Sequence, residues 1–226
     1  MYLYLYINLA IILGPLIISF DRRKINYYSK IRSVALSMLS VSTVFIAWDT
    51  LATSRGHWSF NSLYLVGPKL FGLPFEEILF FITVPFSCLF AYEALAYFVK
   101  ETKPVQTDKS PLIVGLAIAV LSTVFVNKEY TFLAVLSVGI CVIVAHKLIR
   151  GIFFSKLYWS YIVLTFALFL VFNYLLTSLP IVEYSNQAIS GLRVSTIPVE
   201  DFMFNFSMLT LYLAIHLSVA RKLKES

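Results

Sequence analysis

The chain has 226 residues, of which 59% are hydrophobic and 13% charged, and its formal net charge is +6. Soluble domains contain roughly 45–50% apolar and about 25% charged residues, so a soluble globule, a nucleic-acid-binding module and a disordered chain are all disfavoured. In a chain this apolar, surplus lysine and arginine mark the cytoplasmic side of a membrane protein rather than a surface for nucleic acid. The composition therefore predicts an integral membrane protein.

Seven apolar stretches approach the length of about 20 residues that a helix needs to cross a bilayer. They are residues 2–20, 33–53, 75–99, 111–127, 130–148, 157–179 and 199–220. Fourteen of the 18 lysines and arginines fall on one side of these spans: Arg22, Arg23, Lys24, Lys30, Arg32, Lys100, Lys103, Lys109, Lys147, Arg150, Lys156, Arg221, Lys222 and Lys224. The positive-inside rule then puts the N-terminus outside and the C-terminus in the cytoplasm. We predict an all-α, multi-pass bundle of about seven transmembrane helices in the cell membrane.

The two halves of the sequence resemble each other at a fixed offset of 124 residues without a gap. The matches include Gly67 with Gly191, Pro74 with Pro198, Glu76 with Glu200 and Phe80 with Phe204. Four helices separate equivalent positions, so the copies run in the same direction through the membrane, as in parallel repeats with an axis along the membrane normal. We expect a first repeat at 1–110, a connecting helix at 111–128 and a second repeat at 129–226, with a binding site between the repeats. A duplication that only built a stable bundle is the alternative.

Acidic residues inside the predicted helices are the candidate functional groups, because a charge in the hydrocarbon is costly and such residues usually face the bundle interior. Five stand near the predicted outer ends of their helices: Asp49, Glu76, Glu77, Glu200 and Asp201. The last four closely follow a proline, and acids in the first turn also stabilise a helix through its dipole. A purely structural role at the helix start is therefore the alternative for these four.

The helical spacing favours Glu76 and Glu200 as the principal acids. Each has a phenylalanine one turn further along the same helix face, whereas the second acid of each pair and the residue below it differ between the copies. We therefore expect Glu76 and Glu200 to approach each other across a shared cavity. We expect Glu93, near the inner end of the third span, to be structural.

Adjacent carboxyl groups in an apolar setting cannot all be ionised, so some are expected to keep their protons at neutral pH. A protonated carboxyl group beside aromatic rings can protonate an electron-rich carbon–carbon double bond, and the rings can stabilise the resulting cation. The sequence has no Gly-x-Gly pair for a dinucleotide or phosphate loop, and its three histidines and two cysteines lack the spacing of a metal site. We therefore expect acid chemistry with no cofactor and no metal.

Two segments, 73–81 and 197–204, carry a Pro-x-Glu-Glu and a Pro-x-Glu-Asp motif that resemble the paired motifs of the small membrane-type lycopene cyclases. Phe20-Asp21-Arg22-Arg23 and Trp48-Asp49 also resemble this family, and the resemblance covers essentially the whole chain with both repeats fused. The second repeat departs from the pattern where Asn173 replaces the aspartate and where Val144-Ala145-His146-Lys147 replaces the Phe-Asp-Arg-Arg run. The first repeat is therefore expected to dominate the chemistry.

The resemblance implies a lycopene β-cyclase, which converts the ψ ends of lycopene through γ-carotene to β-carotene without net redox change. The implied partners are lycopene, γ-carotene and membrane lipid, with other enzymes of the carotenoid pathway as further candidates. The predicted catalytic residues are Glu76, Glu77, Glu200, Asp201 and Asp49, and the predicted substrate contacts are Trp48, Phe80, Phe81, Phe204 and Asn173. A carotenoid hydratase, in which water captures the same cation, and a non-enzymatic membrane carrier remain alternatives.

Overall fold

The computed structural model describes residues 2–20, 25–99 and 108–225, and these ranges form a bundle of seven α-helices. The helices are α1 (Leu3–Ser19), α2 (Ile31–Ser54), α3 (Phe75–Phe98), α4 (Ser110–Leu121), α5 (Glu129–Leu148), α6 (Lys156–Ser178) and α7 (Val199–Glu225). Each corresponds to one predicted span, so the prediction of an all-α bundle of seven helices is confirmed. The predicted Asp-Arg-Arg run at 21–23 and the loop lysines at 24, 100 and 103 lie outside the described residues.

Five helices, α2, α3, α5, α6 and α7, are long and apolar enough to cross a membrane. The other two are shorter: α1 has 17 residues, and α4 has 12 before a 3₁₀ turn extends it through Ser122–Phe125. At a rise of 1.5 Å per residue, α1 still covers about 26 Å. The composition and the helices together are those of an integral membrane protein.

Six short strands join the helices at one end of the bundle, and each strand of the first repeat has its counterpart 124 residues later. They are β1 (Trp58–Phe60), β2 (Lys69–Leu70), β3 (Leu73–Pro74), β4 (Val182–Tyr184), β5 (Arg193–Val194) and β6 (Ile197–Pro198). β2 pairs with β3 and β5 with β6, whereas β1 pairs with β4 across the two repeats. In that antiparallel pair Ser59 lies opposite Glu183, its own equivalent position. The pseudo-twofold axis that relates the repeats therefore passes through the middle of the β1–β4 pair.

The middle helix of each repeat also packs against the third helix of the other repeat. Within each repeat the first helix packs against the third, α1 on α3 and α5 on α7, while α2 packs against α7 and α6 against α3 of the opposite repeat. The connecting helix α4 packs against α5, where a Cβ atom on Gly115 would lie only 2.9 Å from the carbonyl oxygen of Gly139. Glycines permit such close approach between membrane helices. The reciprocal packing brings side chains of both repeats together beneath the β1–β4 pair.

Candidate active site

A cavity of about 80 Å³ lies beneath the strands, between the two repeats. Three acidic side chains line it: Asp49 from α2, Glu77 from α3 and Asp201 from α7. Aromatic rings from both repeats form much of the remaining wall, among them Tyr4, Phe80, Phe81, Tyr130, Tyr184 and Phe204. We call this cavity, bounded by the three acids and these rings, the acid chamber.

Asp201 is held by three hydrogen-bond donors. The Tyr130 hydroxyl donates to Oδ1 at 2.7 Å, and the Tyr184 hydroxyl and the Asn173 amide donate to Oδ2 at 2.7 and 2.9 Å. Burial and the neighbouring Asp201 raise the pKa of the Tyr184 phenol, on β4, well above its usual value, so the phenol keeps its proton and acts as a donor. Three donors replace part of the water that a buried carboxylate loses, and each of these hydrogen bonds favours the charged form of Asp201.

Asp49 and Glu77 form a carboxyl pair in which each group has fewer donors than Asp201, and one of these donors is the Thr53 hydroxyl, at 3.4 Å from Asp49 Oδ1. The Trp58 indole donates to Asp49 Oδ1 at 2.7 Å, and the Tyr4 hydroxyl donates to Glu77 Oε2 at 2.5 Å. Asp49 Oδ2 is buried without a donor, although the Glu77 carboxyl group lies within hydrogen-bonding reach of Asp49. Two carboxyl groups can share a hydrogen bond only when one carries a proton, and a buried like-charged pair disfavours double ionisation. The geometry therefore favours one proton held between Asp49 and Glu77.

Glu76 and Glu200 do not line the acid chamber, and both are fully buried. Glu76 Oε1 accepts a hydrogen bond from the Val66 backbone N–H, and Glu200 Oε1 accepts one from the equivalent Ser190 N–H at 2.7 Å. The expectation that these two acids face each other across a shared cavity is therefore wrong. The reason is the helix phase: side chains one residue apart point about 100° apart, so the first acid of each pair turns to its loop and the second to the chamber.

Four of the five predicted substrate contacts, Phe80, Phe81, Phe204 and Asn173, lie in the chamber wall. The fifth, Trp48, lies behind the wall, with its ring 5.2 Å from that of Phe204 at an angle of 68°. Trp48 also packs edge-on against Tyr130, at 6.4 Å, so it supports two rings of the chamber wall. Their roles as substrate contacts remain predictions.

The four donors Tyr4, Trp58, Tyr130 and Tyr184 were not predicted from the sequence. Tyr4 and Tyr130 hold the equivalent acids Glu77 and Asp201, yet they are 126 residues apart. The gap-free offset of 124 pairs Tyr130 with Tyr6 instead, and Tyr6 is 58% exposed. The first helix of each repeat is thus shifted by two residues relative to the rest, and an alignment that allowed a gap before the second helix would have found the tyrosine pair.

Comparison with known proteins gives the family. A family model for lycopene cyclases matches residues 1–95 and 127–219. The chain belongs to the lycopene cyclase family. No curated protein and no solved structure matches it.

The two matched segments correspond to the two structural repeats, and the unmatched stretch between them contains α4. The prediction of both cyclase repeats fused in one chain is therefore confirmed. Family membership supports a carotenoid cyclase role, with a carotenoid substrate from the lipid phase. Chemistry on such a substrate needs reactive groups within the bundle, which is where the acid chamber places Asp49, Glu77 and Asp201.

Replacing Glu200 by Ala is expected to lower the stability of the protein more than replacing it by Gln. The alanine leaves the half-buried Ser190 N–H and the buried Thr131 hydroxyl, which donates at 2.6 Å, without an acceptor. An unsatisfied buried donor costs about 1–3 kcal/mol, whereas Gln retains an acceptor oxygen. Thermal unfolding in detergent measures the difference, and equal midpoints for the two variants would contradict the loop-holding role.

Proposed function

We propose that this protein is a lycopene β-cyclase, which converts the ψ ends of lycopene to β-rings and forms β-carotene through γ-carotene. The observation that carries the proposal is the acid chamber, where a carboxyl pair, a hydrogen-bonded carboxylate and aromatic rings line one buried cavity. Together these groups supply a proton donor, a proton acceptor and walls that tolerate a cation.

The Asp49–Glu77 pair is the proposed acid. In the reaction Glu77 gives its proton to C2 of the ψ end group, and the C1=C2 double bond becomes a tertiary cation at C1. The C5=C6 bond then attacks C1, which closes the six-membered ring and moves the positive charge to C5. The departure of the proton leaves a carboxylate pair that Tyr4 and Trp58 stabilise through their hydrogen bonds.

Asp201 is the proposed base. It removes the proton from C6, so that the electrons of that C–H bond form the C5=C6 double bond of the β-ring. One proton enters at C2 and one leaves at C6, so the product is an isomer of the substrate. Return of the proton from Asp201 to the Asp49–Glu77 pair completes the cycle, and the three donors around Asp201 keep it ready as a carboxylate.

Aromatic rings protect the cation between these two steps. Phe80 and Phe204 stand one turn below the two Pro-x-Glu acids and line the chamber from opposite repeats. Ring faces attract a cation by about 0.5–2 kcal/mol or more in a desolvated site. The apolar rings also keep water away from C1 and C5, which favours proton loss over capture of the cation by water.

The proposal includes the placement of the enzyme in the cell membrane. Within the described ranges, most lysines and arginines lie at the bundle end opposite the strands, so we propose an N-terminus outside and a cytoplasmic C-terminus. The acid chamber then lies near the outer face, where lycopene and γ-carotene reach it from the lipid. We also propose the functional division into 1–110, 111–128 and 129–226.

Expression in a lycopene-accumulating bacterium tests the function. We expect γ-carotene and then β-carotene in the extracted pigments, and the same conversion by isolated membranes without added nucleotide or metal. Liquid chromatography with absorbance spectra identifies each pigment, and cells that carry the empty vector are the control. Unchanged lycopene beside verified, membrane-inserted protein would argue for a carrier, and hydroxylated pigments would argue for a hydratase.

A further inference from the structure

A second cavity, of about 430 Å³, opens beside the acid chamber between α1, α3, α6 and α7. Its walls are almost entirely apolar, and it shares Phe80, Phe169, Asn173 and Asn205 with the chamber. We call it the apolar groove. We propose that this groove binds the unreacted remainder of the polyene while one end group occupies the acid chamber, so that the enzyme cyclises one end per binding event. The proposal rests on the function proposed above.

The length of the groove suits an extended polyene. Along α3 its lining runs from Phe80, at the chamber, to Phe98 at the last turn of the helix. At 1.5 Å per residue this distance is about 27 Å, close to the roughly 30 Å thickness of the hydrocarbon core. A long polyene with one end in the chamber therefore has its other end near the opposite face of the bilayer.

Small side chains create the space. Cys88, Ala91 and Ala94 of α3 line the groove, and α1 contributes Ala10 and Pro15. Of the described residues that line the groove, none is charged. Thr165, Asn173 and Asn205 add polar groups, and Ser87 donates its hydroxyl to the backbone oxygen of Ile11 at 2.9 Å. The groove therefore offers an apolar surface without unsatisfied charge, as a hydrocarbon chain requires.

The pseudo-symmetric counterpart of the groove, between α2 and α7, is filled. Position 212 of α7 corresponds to Cys88 and carries a tyrosine, and position 215 corresponds to Ala91 and carries an isoleucine. Tyr212 is fully buried, its hydroxyl lies 2.8 Å from the Ser42 hydroxyl, and its backbone oxygen accepts a hydrogen bond from Ser37 at 2.6 Å. In the described ranges, the repeat pair thus presents one open groove to the chamber rather than two.

With one groove and one chamber, the two end groups of lycopene must react one after the other. The second end group of lycopene lies far from the acids while the first reacts, so the monocyclic product must leave and re-enter in the reverse direction. We therefore expect free γ-carotene to build up before β-carotene in a time course. A blocked groove should hinder long polyenes and spare short ones.

Ala94→Trp tests the groove, because position 94 lines it about 21 Å along α3 from Phe80. The probes are lycopene and an acyclic apocarotenoid aldehyde of about half its length with one ψ end. We expect Ala94→Trp to cyclise lycopene at least about tenfold more slowly per inserted protein and to cyclise the short aldehyde at the wild-type rate. Ala96→Trp is the matched control, since Ala96 is exposed on the same helix outside the groove lining, and should convert both probes normally.

Each outcome decides the proposal. Normal turnover of lycopene by Ala94→Trp, or an equal loss on both probes, would overturn the groove assignment, as would an equal defect in Ala96→Trp. If Ala94→Trp fails to insert, Ala91→Phe fills the same groove nearer the chamber and is judged by the same comparison. A wild-type protein that converts neither probe would instead overturn the proposed function itself.

Discussion

Glu77→Gln and Asp201→Asn are each expected to reduce cyclisation by at least about a hundredfold, because a positioned acid or base contributes roughly 10²–10⁴-fold to a rate. Gln cannot supply the proton that C2 must receive, and Asn cannot accept the proton that C6 must lose. Both side chains line the acid chamber, and both replacements keep the size of the group. The measurement is product formed per unit of membrane-inserted enzyme in a host that supplies lycopene.

The adjacent acids provide matched controls. Glu76→Gln and Glu200→Gln make the same chemical change one residue away on the same helices, and we expect turnover close to that of the wild type. Their oxygens accept hydrogen bonds from the loop amides of Val66 and Ser190, which the amide oxygen of Gln can also accept. Near-normal activity in Glu77→Gln and Asp201→Asn, with loss in the two controls, would return the catalytic role to the first acid of each pair.

The helices and the repeat could be predicted because their signals are physical and long. Some 20 consecutive apolar residues leave few structures other than a membrane helix, and Pro74 and Pro198 mark where α3 and α7 begin. The self-alignment at a fixed offset of 124 residues then predicted two repeats of similar structure. The β1–β4 pair could not be predicted, because three-residue strands carry no measurable periodicity.

The β1–β4 pair explains why the sequence did not predict the hydrogen-bond donors Trp58 and Tyr184. Trp58 and Tyr184 lie opposite each other in it, and they donate to Asp49 and Asp201. No spacing within α2 or α7 connects these acids with residues of a loop strand. Only the paired strands place the two donors over the chamber.

The expectation that Glu76 and Glu200 share the cavity was wrong for a different reason. Glu76 and Glu200 are identical in the two repeats because they perform the same task, holding the amides of Val66 and Ser190, which are themselves 124 residues apart. Glu77 and Asp201 differ, as do Asp49 and Asn173. Under the proposed mechanism this divergence divides one chamber between an acid and a base. Under the same mechanism, the acids that are identical in both repeats hold the loops, and the acids that differ carry out the chemistry.

Asn173→Asp is expected to reduce cyclisation by about a hundredfold, the effect of losing a positioned base, although it gives the second repeat the aspartate of the first. Asn173 donates to Asp201 Oδ2 at 2.9 Å. An aspartate there removes that donor and adds a second carboxyl group in contact with Asp201. The two would then share a proton as the Asp49–Glu77 pair does, because buried like charges disfavour double ionisation. Asp201 would enter the reaction protonated and could not take the C6 proton.

Asn173→Leu separates the added charge from the lost hydrogen bond, since leucine has a similar shape and neither donates nor ionises. A hydrogen bond to a charged group contributes about 1.5–3 kcal/mol. Because Tyr130 and Tyr184 still donate to Asp201 in the leucine variant, we expect the lower end of this range, a loss of roughly tenfold, and a variant faster than the aspartate one. Product formed per inserted protein is compared for the wild type and both variants. Turnover by Asn173→Asp that equals or exceeds that of Asn173→Leu would contradict an ionised Asp201, and the assignment of acid and base between Glu77 and Asp201 would have to be reversed.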